Sequence, residues 1–130
     1  MDGKLLDTNV IIKYFNKDDS ISKVIDCILP EELYLSVIVQ GELLFGAEKS
    51  SRKEENRRIL YRFFEKFNII DINTGTSDVY GEIKNRLRYQ GINIPENDLW
   101  IAASAIYYDL QLITSDKHYE KIERLNLRKL

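Results

Sequence analysis

A chain of 130 residues in which 44% are hydrophobic and 31% are charged has the composition of a soluble globular protein, with enough residues for one compact core. No apolar run reaches the length of a membrane span and no basic-then-apolar leader opens the chain, so we expect a cytoplasmic protein without membrane contact. The formal net charge of −2 excludes a protein whose overall charge attracts nucleic acid, so any binding to phosphates must come from a local basic face or from metal ions.

Short apolar strands alternate with helical patterns along the whole chain. Apolar runs predict strands at residues 5–6, 33–35, 68–72 and 110–114. Helical spacing predicts helices at residues 10–15, 21–29, 36–46, 52–67, 79–87, 98–108 and 117–124, with a terminal run near Leu127. The only cysteine, Cys27, falls in the second of these helices and is predicted to be a core residue that forms no internal disulfide. This alternation predicts one α/β domain over residues 1–130 with a mainly parallel sheet.

The first strand ends at an acidic residue, Asp7. Two small polar residues, Thr8 and Asn9, follow it before a second apolar run begins at Val10. Because ligands bind at the carboxyl ends of the strands in open α/β sheets, Asp7 stands where a functional side chain is expected. The alternative is that Asp7 only caps the next helix, although Val10 occupies the position where a capping box needs Glu or Gln. Taken alone, the segment leaves both interpretations open.

Glu42 lies inside the third predicted helix among apolar residues. Its neighbours one turn away include Ile38, Val39 and Phe45, so its carboxylate is predicted to project from the apolar face of the helix. A carboxylate that is buried without a partner is costly or shifts its pKa. Pairing with a lysine or reaching towards solvent is the structural alternative, but this position favours a functional acid.

Two more acids occupy comparable positions later in the chain. Asp98 opens the helix DLWIAASAI, either as its cap or, if Asn97 is the cap, in the first turn. Asp116 follows the strand LQLIT through Ser115, much as Asp7 follows the first strand. Considered alone, Asp116 is more readily explained as a loop aspartate that caps the short helix after it.

Four acids can meet at one end of the sheet, because two follow strands and two lie on helices: Asp7, Glu42, Asp98 and Asp116. Carboxylates about 5 Å apart repel each other by roughly 3 kcal/mol per pair at an effective dielectric constant of about 20, so a fold retains such a cluster only where a cation offsets the repulsion. Magnesium prefers oxygen ligands, whereas zinc prefers the histidine and cysteine that this chain has only once each. The expected cofactor is Mg²⁺ or Mn²⁺, which can activate water and stabilise the leaving oxygen of a phosphodiester.

Four segments carry a resemblance to a known family: DTNVII at 7–12, GELLFG at 41–46, NDLWIAASA at 97–105 and LITSDKHY at 112–119. In this order and spacing, the chain resembles the PIN-domain ribonucleases, and closely the VapC toxins of bacterial and archaeal toxin–antitoxin pairs. The resemblance implies a PIN-like three-layer α/β/α domain with a mainly parallel central sheet. It also implies a Mg²⁺- or Mn²⁺-dependent endoribonuclease that hydrolyses phosphodiester bonds in structured RNA such as tRNA or rRNA.

The resemblance also implies roles for individual residues. Asp7 and Asp98 would bind the metal most directly, Glu42 would contribute directly or through water, and the acidic pocket would be completed by Asp116. The small polar residues that would orient the acids or the water are Thr8, Asn9 and Thr114. Members of the family usually work as homodimers, and a cognate VapB antitoxin keeps them inactive by covering the site.

Two positions depart from the family pattern. Val39 stands where the family often has threonine, and His118 stands where some members carry another acid. A fifth metal ligand is therefore not expected, and His118, the only histidine, is interpreted as a surface or loop residue. Trp100 is expected near the site, where it could stack on a base, but a contact with the core or a partner is the preferred interpretation.

A basic stretch at residues 49–66 is the main candidate for an RNA contact. It holds seven of the 19 basic residues of the chain: Lys49, Arg52, Lys53, Arg57, Arg58, Arg62 and Lys66. Four glutamates within or beside it dilute the positive charge, so a solvent-facing helix surface is the favoured interpretation.

Two other functions fit parts of the sequence. A catalytically inert RNA-binding or assembly module on the same fold would be indicated by a missing acid, and none of the four is missing. A phosphoacceptor signalling domain would carry its acceptor aspartate after a central strand, whereas Asp71 is predicted to lie inside the third strand. The nuclease is therefore favoured over both.

Overall fold

A parallel β-sheet of five strands forms the centre of the protein. The structure is a computed structural model that describes residues 2–130. The strands lie in the order β3-β2-β1-β4-β5, and each adjacent pair is parallel. Their bounds are Lys4–Leu6 for β1, Leu33–Ser36 for β2, Asn68–Ile70 for β3, Gln111–Thr114 for β4 and Leu127–Lys129 for β5.

Helices connect the strands. Their bounds are Thr8–Phe15 for α1, Asp19–Ile25 for α2, Val37–Glu48 for α3, Lys53–Phe64 for α4, Thr74–Tyr89 for α5 and Glu96–Tyr107 for α6. Short 3-10 turns form at Pro30–Glu32 and Lys117–Lys121. Within residues 2–130, none of the helices is both long and apolar enough to span a lipid bilayer.

Both faces of the central strands are covered. Leu5 and Leu6 of β1 are fully buried, and so are Leu112 and Ile113 of β4. Because consecutive residues of a strand point to opposite faces, burial of both members of each pair requires helices on both sides of the sheet. The predicted three-layer α/β/α arrangement with a parallel central sheet is confirmed.

The strand order places a crevice at the carboxyl end of β1. From β1 the chain proceeds through β2 and β3 on one side, and it then returns to the other side of β1 to form β4 and β5. Leu5 pairs with Tyr34 of β2 and with Leu112 of β4, and the backbone N–H of Asp7 donates to the carbonyl oxygen of Ile113 at 2.9 Å. Ligands bind at such reversal points in open α/β sheets, so Asp7 lies where a site is expected.

Gly3, just before β1, occupies a position that a larger residue does not fit. An added Cβ atom would lie 2.5 Å from Leu110 Cδ2 and 2.9 Å from Tyr34 Cε1. We expect Gly3→Ala to lower the free energy of unfolding by about 1–3 kcal/mol, because the buried Leu110 has little room to move. The matched control is Gly81→Ala on α5, where the added atom meets open space and should stabilise the helix by up to about 1 kcal/mol. Denaturant unfolding measures both changes, and equal effects would contradict the packing argument.

Two strand predictions differ from the structure. β3 was expected to continue to residue 72, but it ends at Ile70 because its only neighbour, β2, ends at Ser36, the residue paired with Ile70. Asp71 therefore follows an edge strand instead of lying inside it. The terminal run near Leu127 forms a fifth strand, because it pairs with the edge of β4 that β1 leaves free, with Leu127 opposite Leu112.

Several helix ends also differ from the prediction. The helix expected at residues 52–67 is shorter at both ends. α6 begins at Glu96 with Pro95 in the cap position, so Asp98 lies in the first turn and Asn97 is not the cap. The prediction that Cys27 is a core residue was wrong, because α2 ends at Ile25 and the following turn leaves the thiol exposed.

Candidate active site

Asp7 is a buried acid at the carboxyl end of β1, only 2% exposed. Its carboxylate accepts hydrogen bonds from the backbone N–H of Thr8 at 2.9 Å, from the hydroxyl of Thr114 at 2.7 Å and from the hydroxyl of Tyr119 at 3.1 Å. The hydrogen bond from Thr8 makes Asp7 the N-cap of α1. Asp7 therefore both caps this helix and lies in the site. Because the other two donors come from β4 and the turn after it, Asp7 is fixed at the point where the strand order reverses.

Asn9 connects Asp7 to Asp116. Its Nδ2 atom donates to Asp116 Oδ2 at 2.9 Å and lies 3.4 Å from Asp7 Oδ2, while its Oδ1 accepts from the backbone N–H of Ser115 at 3.3 Å. The hydroxyl oxygen of Thr114 accepts from the backbone N–H of Asp116 at 3.0 Å. The carboxylate of Asp116 makes no capping hydrogen bond to the 3-10 turn that follows. Its orientation is therefore set by the site and not by helix capping.

Glu42 enters the site from α3. Its Oε1 atom accepts a hydrogen bond of 2.7 Å from the hydroxyl of Thr8, which lies in the first turn of α1. The helix face around Glu42 is less enclosed than the sequence suggested, because Phe45, one turn away, is 62% exposed. Glu42, Ile38, Phe45 and Asn97 line a shallow open depression at this surface. The carboxylate is thus half-buried and can be reached from solvent.

Asp98 lies in the first turn of α6, and its side chain is only 19% exposed. Its Oδ2 atom is 2.9 Å from the Nε2 atom of His118, which the turn after β4 carries into the site. Despite this short distance, Nε2 is buried and has no hydrogen-bond partner of acceptable geometry among the described residues. The contact brings a ring nitrogen and a carboxylate oxygen together without a hydrogen bond between them.

The environment of Asp7 favours its neutral form. Burial raises the pKa of Asp7 above its ordinary value, and the charge of Asp116 raises it further. Hydrogen bonds from Thr114, Thr8 and Tyr119 lower the pKa of Asp7 and so offset part of this rise. A cation at the site would favour the ionised form in the same way, but more strongly.

The pKa of Asp98 is also raised above its ordinary value. Burial raises its pKa first, and the charges of Asp7 and Glu42 add to the rise, against the opposing effects of His118 and the hydroxyl of Tyr119. Burial and the two aspartates also raise the pKa of Tyr119, so its hydroxyl stays protonated and donates a hydrogen bond at neutral pH. These mutual effects show that acids from β1, α3 and α6 lie within electrostatic reach of one another.

The potential ligand atoms are not equally close. One group whose atoms lie within 4.8 Å of one another, among residues 2–130, consists of Asp98, Asp116 and His118. Hydrogen bonds from Thr114 and Tyr119 tie Asp7 to the strand and turn that carry Asp116 and His118, and Thr8 donates to Glu42. The structure therefore brings all four predicted acids to one end of the sheet, and two of them, Asp98 and Asp116, belong to the group of potential ligands.

Two residues of the site were not predicted to belong to it. His118 was interpreted as a surface or loop residue, yet its side chain is 32% exposed and its Nε2 atom faces Asp98. The signal was present, because His118 occupies the position where the family pattern sometimes has an acid. Tyr119 is fully buried, and no spacing pattern in the sequence separates its hydroxyl from an ordinary core contact.

Removal of the Tyr119 hydroxyl tests its role in holding Asp7. We expect Tyr119→Phe to weaken divalent-ion binding by about tenfold, the usual effect of losing a group that orients a ligand, because Asp7 loses one of its donors. Titration calorimetry with Mn²⁺ measures the change. The control is Tyr89→Phe, whose side chain on α5 is exposed and should leave the affinity unchanged. Equal affinities in the two variants would show that the hydroxyl does not support the site.

The basic stretch is partly neutralised by its own acids. Lys53 and Arg57 of α4 both pair with Glu48, at 2.9 Å and 3.5 Å, and Arg52 lies 3.6 Å from Glu55. All of these pairs are at the surface, as the interpretation of a solvent-facing helix predicts. An RNA contact by residues 49–66 stays an open prediction.

Trp100 makes an internal contact. Its ring stacks on that of Tyr80 from α5, with centroids 3.9 Å apart and planes 6° from parallel. The hydroxyl of Tyr80 donates in turn to Glu96 at 2.7 Å. Trp100 therefore helps to join α5 to α6, in line with the preferred interpretation of a core contact.

Comparison with known proteins places this arrangement in a family. A sequence profile of the PIN domain matches residues 4–125. The chain is 34% identical over 126 residues to Ribonuclease VapC2 of Rickettsia felis, covering 95% of this chain and 94% of that protein. It is 35% identical over 124 residues to Ribonuclease VapC1 of Haemophilus influenzae strain R2866, covering 93% and 92%. The crystal structure of VapBC2 from Rickettsia felis bound to a promoter DNA fragment superposes with a TM-score of 0.90 at 32% identity, covering 98% of each chain.

Proposed function

Because the chain belongs to the PIN domain family, we propose that it is a divalent-metal-dependent endoribonuclease of the VapC type, the toxin of a toxin–antitoxin pair. Two relatives named as VapC ribonucleases align with more than nine-tenths of the chain, which supports a ribonuclease as the class of enzyme. Residues 1–130 would form one ribonuclease domain. The cytoplasm is the location proposed for it, because its RNA substrates are found there.

The observation that carries the proposal is the meeting of acids at the carboxyl ends of β1 and β4. Ligand atoms of Asp98, Asp116 and His118 lie within 4.8 Å of one another. Asn9 joins Asp7 to Asp116 by hydrogen bonds. Carboxylates held this close destabilise one another unless a cation is present. Such an arrangement at a reversal point of the sheet is typical of a metal-dependent active site.

The donor atoms present suit a divalent ion. Carboxylate oxygens are the ligands that Mg²⁺ and Mn²⁺ prefer, and the buried Nε2 atom of His118 is a further electron-pair donor without a partner in the described chain. The residues that would hold the ion are Asp7, Glu42, Asp98 and Asp116. When bound, the ion would activate water and neutralise charge at the phosphodiester.

The remaining polar residues of the site would orient the acids. Thr114 directs its hydroxyl to Asp7 and its oxygen to the backbone of Asp116, so one side chain sets the positions of two acids. The hydroxyl of Thr8 donates to Glu42 and so restricts the position of that carboxylate. These bonds restrict the movement of the carboxylates, and such preorganisation lowers the cost of binding and of reaction.

The proposed partners are RNA, a VapB-like antitoxin and a second copy of the chain. The structurally similar Rickettsia felis protein is a VapBC complex, which supports an antitoxin partner here. The open depression beside Glu42, with the exposed ring of Phe45, offers apolar surface that an antitoxin segment could cover next to the acids. Structured RNA, either tRNA or rRNA, is the proposed substrate.

The proposal is tested by RNA cleavage with the purified chain, freed of any bound partner. We expect cleavage of tRNA or rRNA in Mg²⁺ or Mn²⁺, no cleavage in EDTA, and recovery when the ion is restored. Cleavage that continues in EDTA would contradict a metal-dependent mechanism. RNA binding without cleavage under all conditions would instead favour the inert RNA-binding module.

A phosphoacceptor function has little support in the structure. Asp71 follows β3, the strand at the edge of the sheet, whereas the acids cluster at the ends of the central strands β1 and β4. Its side chain is exposed, and its carbonyl oxygen accepts a hydrogen bond from the hydroxyl of Tyr108 at 2.9 Å. Incubation with a small phosphodonor should therefore leave Asp71 unlabelled.

A further inference from the structure

His118 presents a buried ring nitrogen to the acids. Its Nε2 atom lies 2.9 Å from Asp98 Oδ2, and the imidazole packs against the ring of Tyr119 with centroids 4.7 Å apart. An ion pair with Asp98 would direct an N–H bond at the carboxylate, but the contact does not have hydrogen-bond geometry. A buried nitrogen without a partner costs about 1–3 kcal/mol. The position of this nitrogen therefore calls for a partner other than the carboxylate.

The distance between His118 Nε2 and Asp98 Oδ2 matches that of neighbouring ligands on one metal ion. Adjacent ligands of an octahedral ion lie about 3.0 Å apart when each is about 2.1 Å from the metal, and opposite ligands lie about 4.2 Å apart. His118 Nε2 and Asp98 Oδ2 are 2.9 Å apart, and an oxygen of Asp116 lies within 4.8 Å of both. A small side-chain adjustment would bring all three onto one ion. The ion would then satisfy the nitrogen and neutralise both carboxylates.

We propose that His118 is a direct nitrogen ligand of the divalent ion, beside Asp98 and Asp116, and that it makes the site prefer Mn²⁺ to Mg²⁺. Mg²⁺ is held by oxygen ligands and retains its waters. Mn²⁺ shares the preference of Mg²⁺ for carboxylates, but as a first-row transition-metal ion it accepts an imidazole nitrogen more readily than Mg²⁺ does. This inference rests on the proposed metal-dependent function, and it adds to that function one ligand and the metal that the ligand selects.

The chain contains a single histidine, which makes the ligand directly assignable. The experiment is pulsed electron paramagnetic resonance on the Mn²⁺-loaded full chain, purified without a histidine tag. We expect a nitrogen coupling typical of bound imidazole, and we expect its pattern to change when the protein contains ¹⁵N-labelled histidine. Because isotope labelling alters no side chain, this measurement does not depend on the folding of a variant.

A substitution series tests the metal preference. His118→Gln should abolish the nitrogen coupling and weaken Mn²⁺ binding by about tenfold, while Mg²⁺ binding should change by less than about threefold. Titration calorimetry with each ion measures both affinities. The matched control is Lys121→Gln, an exposed residue of the same 3-10 turn, which should retain the coupling and both affinities.

The outcomes separate this inference from the proposed function. If Mn²⁺ binds and supports cleavage without a nitrogen coupling, His118 is not a ligand, while the nuclease proposal stands on the acids alone. A coupling that persists in His118→Gln, or an equal loss of Mn²⁺ and Mg²⁺ affinity, would also overturn the inference. If neither ion binds, the inference and the proposed metal-dependent function fail together.

Discussion

Asp98→Asn is expected to slow RNA cleavage by about 1000-fold. The substitution keeps the shape of the side chain but removes its negative charge and replaces one carboxylate oxygen by an NH2 group, which does not bind a cation, at the place where Asp98, Asp116 and His118 meet. A catalytic metal supplies several kcal/mol, and each step of about 1.4 kcal/mol corresponds to a tenfold change in rate, so a poorly held ion costs on the order of 10³. Initial cleavage rates at one Mg²⁺ or Mn²⁺ concentration, chosen to saturate the wild type, measure the effect.

The matched control for this prediction is Glu96→Gln. Glu96 lies in the same first turn of α6 as Asp98, but it points to the surface and pairs with Lys84 at 2.6 Å. A surface pair of this kind contributes little to stability, so the control should cleave RNA within about twofold of the wild-type rate. If Asp98→Asn retained a rate similar to that of the control, the assignment of Asp98 to the metal site would be refuted.

The same variant should be more stable than the wild type when no divalent ion is present. We expect Asp98→Asn to raise the melting temperature in EDTA at neutral pH by about 3–5 °C, the change that about 1 kcal/mol produces in a domain of this size. The physical reason is that burial and the charges of Asp7 and Glu42 disfavour the ionised carboxylate of Asp98, and the amide carries no charge. Thermal unfolding of both proteins in EDTA measures the difference.

The sign of the pH dependence follows from the raised pKa of Asp98. Below its ordinary value of 3.8, the carboxyl is protonated in both the folded and the unfolded chain, and it carries no penalty. Above that value the folded state binds more protons than the unfolded state, so rising pH destabilises the folded wild type until the carboxyl is ionised in both states. The advantage of Asp98→Asn should therefore be small near pH 4 and should grow towards neutral pH. A constant difference across this range would contradict the electrostatic explanation.

Addition of the metal should reverse the order of stabilities. An ion at about 100 times its dissociation constant stabilises the folded state by about 2.7 kcal/mol, which corresponds to about 8–14 °C for a domain of this size. The variant should gain much less, because it binds the ion weakly. A similar gain in both proteins would show that the ion binds away from Asp98.

Local sequence patterns were sufficient to predict an α/β domain with a mainly parallel sheet. The buried pairs Leu5–Leu6 and Leu112–Ile113 are apolar on both faces of the sheet, and helical spacing between such runs leaves a mainly parallel sheet as the expected arrangement. Predictions were least successful at element ends. The end of β3 depends on the length of its neighbour, and the exposure of Cys27 depends on the residue at which α2 ends.

The residues of the site were predicted from the sequence only in part. The sequence by itself determined which acids are available, and it placed Asp7 and Asp116 after strands, because an apolar run ends directly before Asp7 and a few residues before Asp116. Only the tertiary structure decided that Tyr119 donates to Asp7 and that His118 faces Asp98, although more than 100 residues separate Tyr119 from Asp7. The physical reason is that the Tyr119 contact depends on the pairing of β4 with β1, and the His118 contact on the packing of α6 against β4. No local pattern around either residue encodes these long-range arrangements.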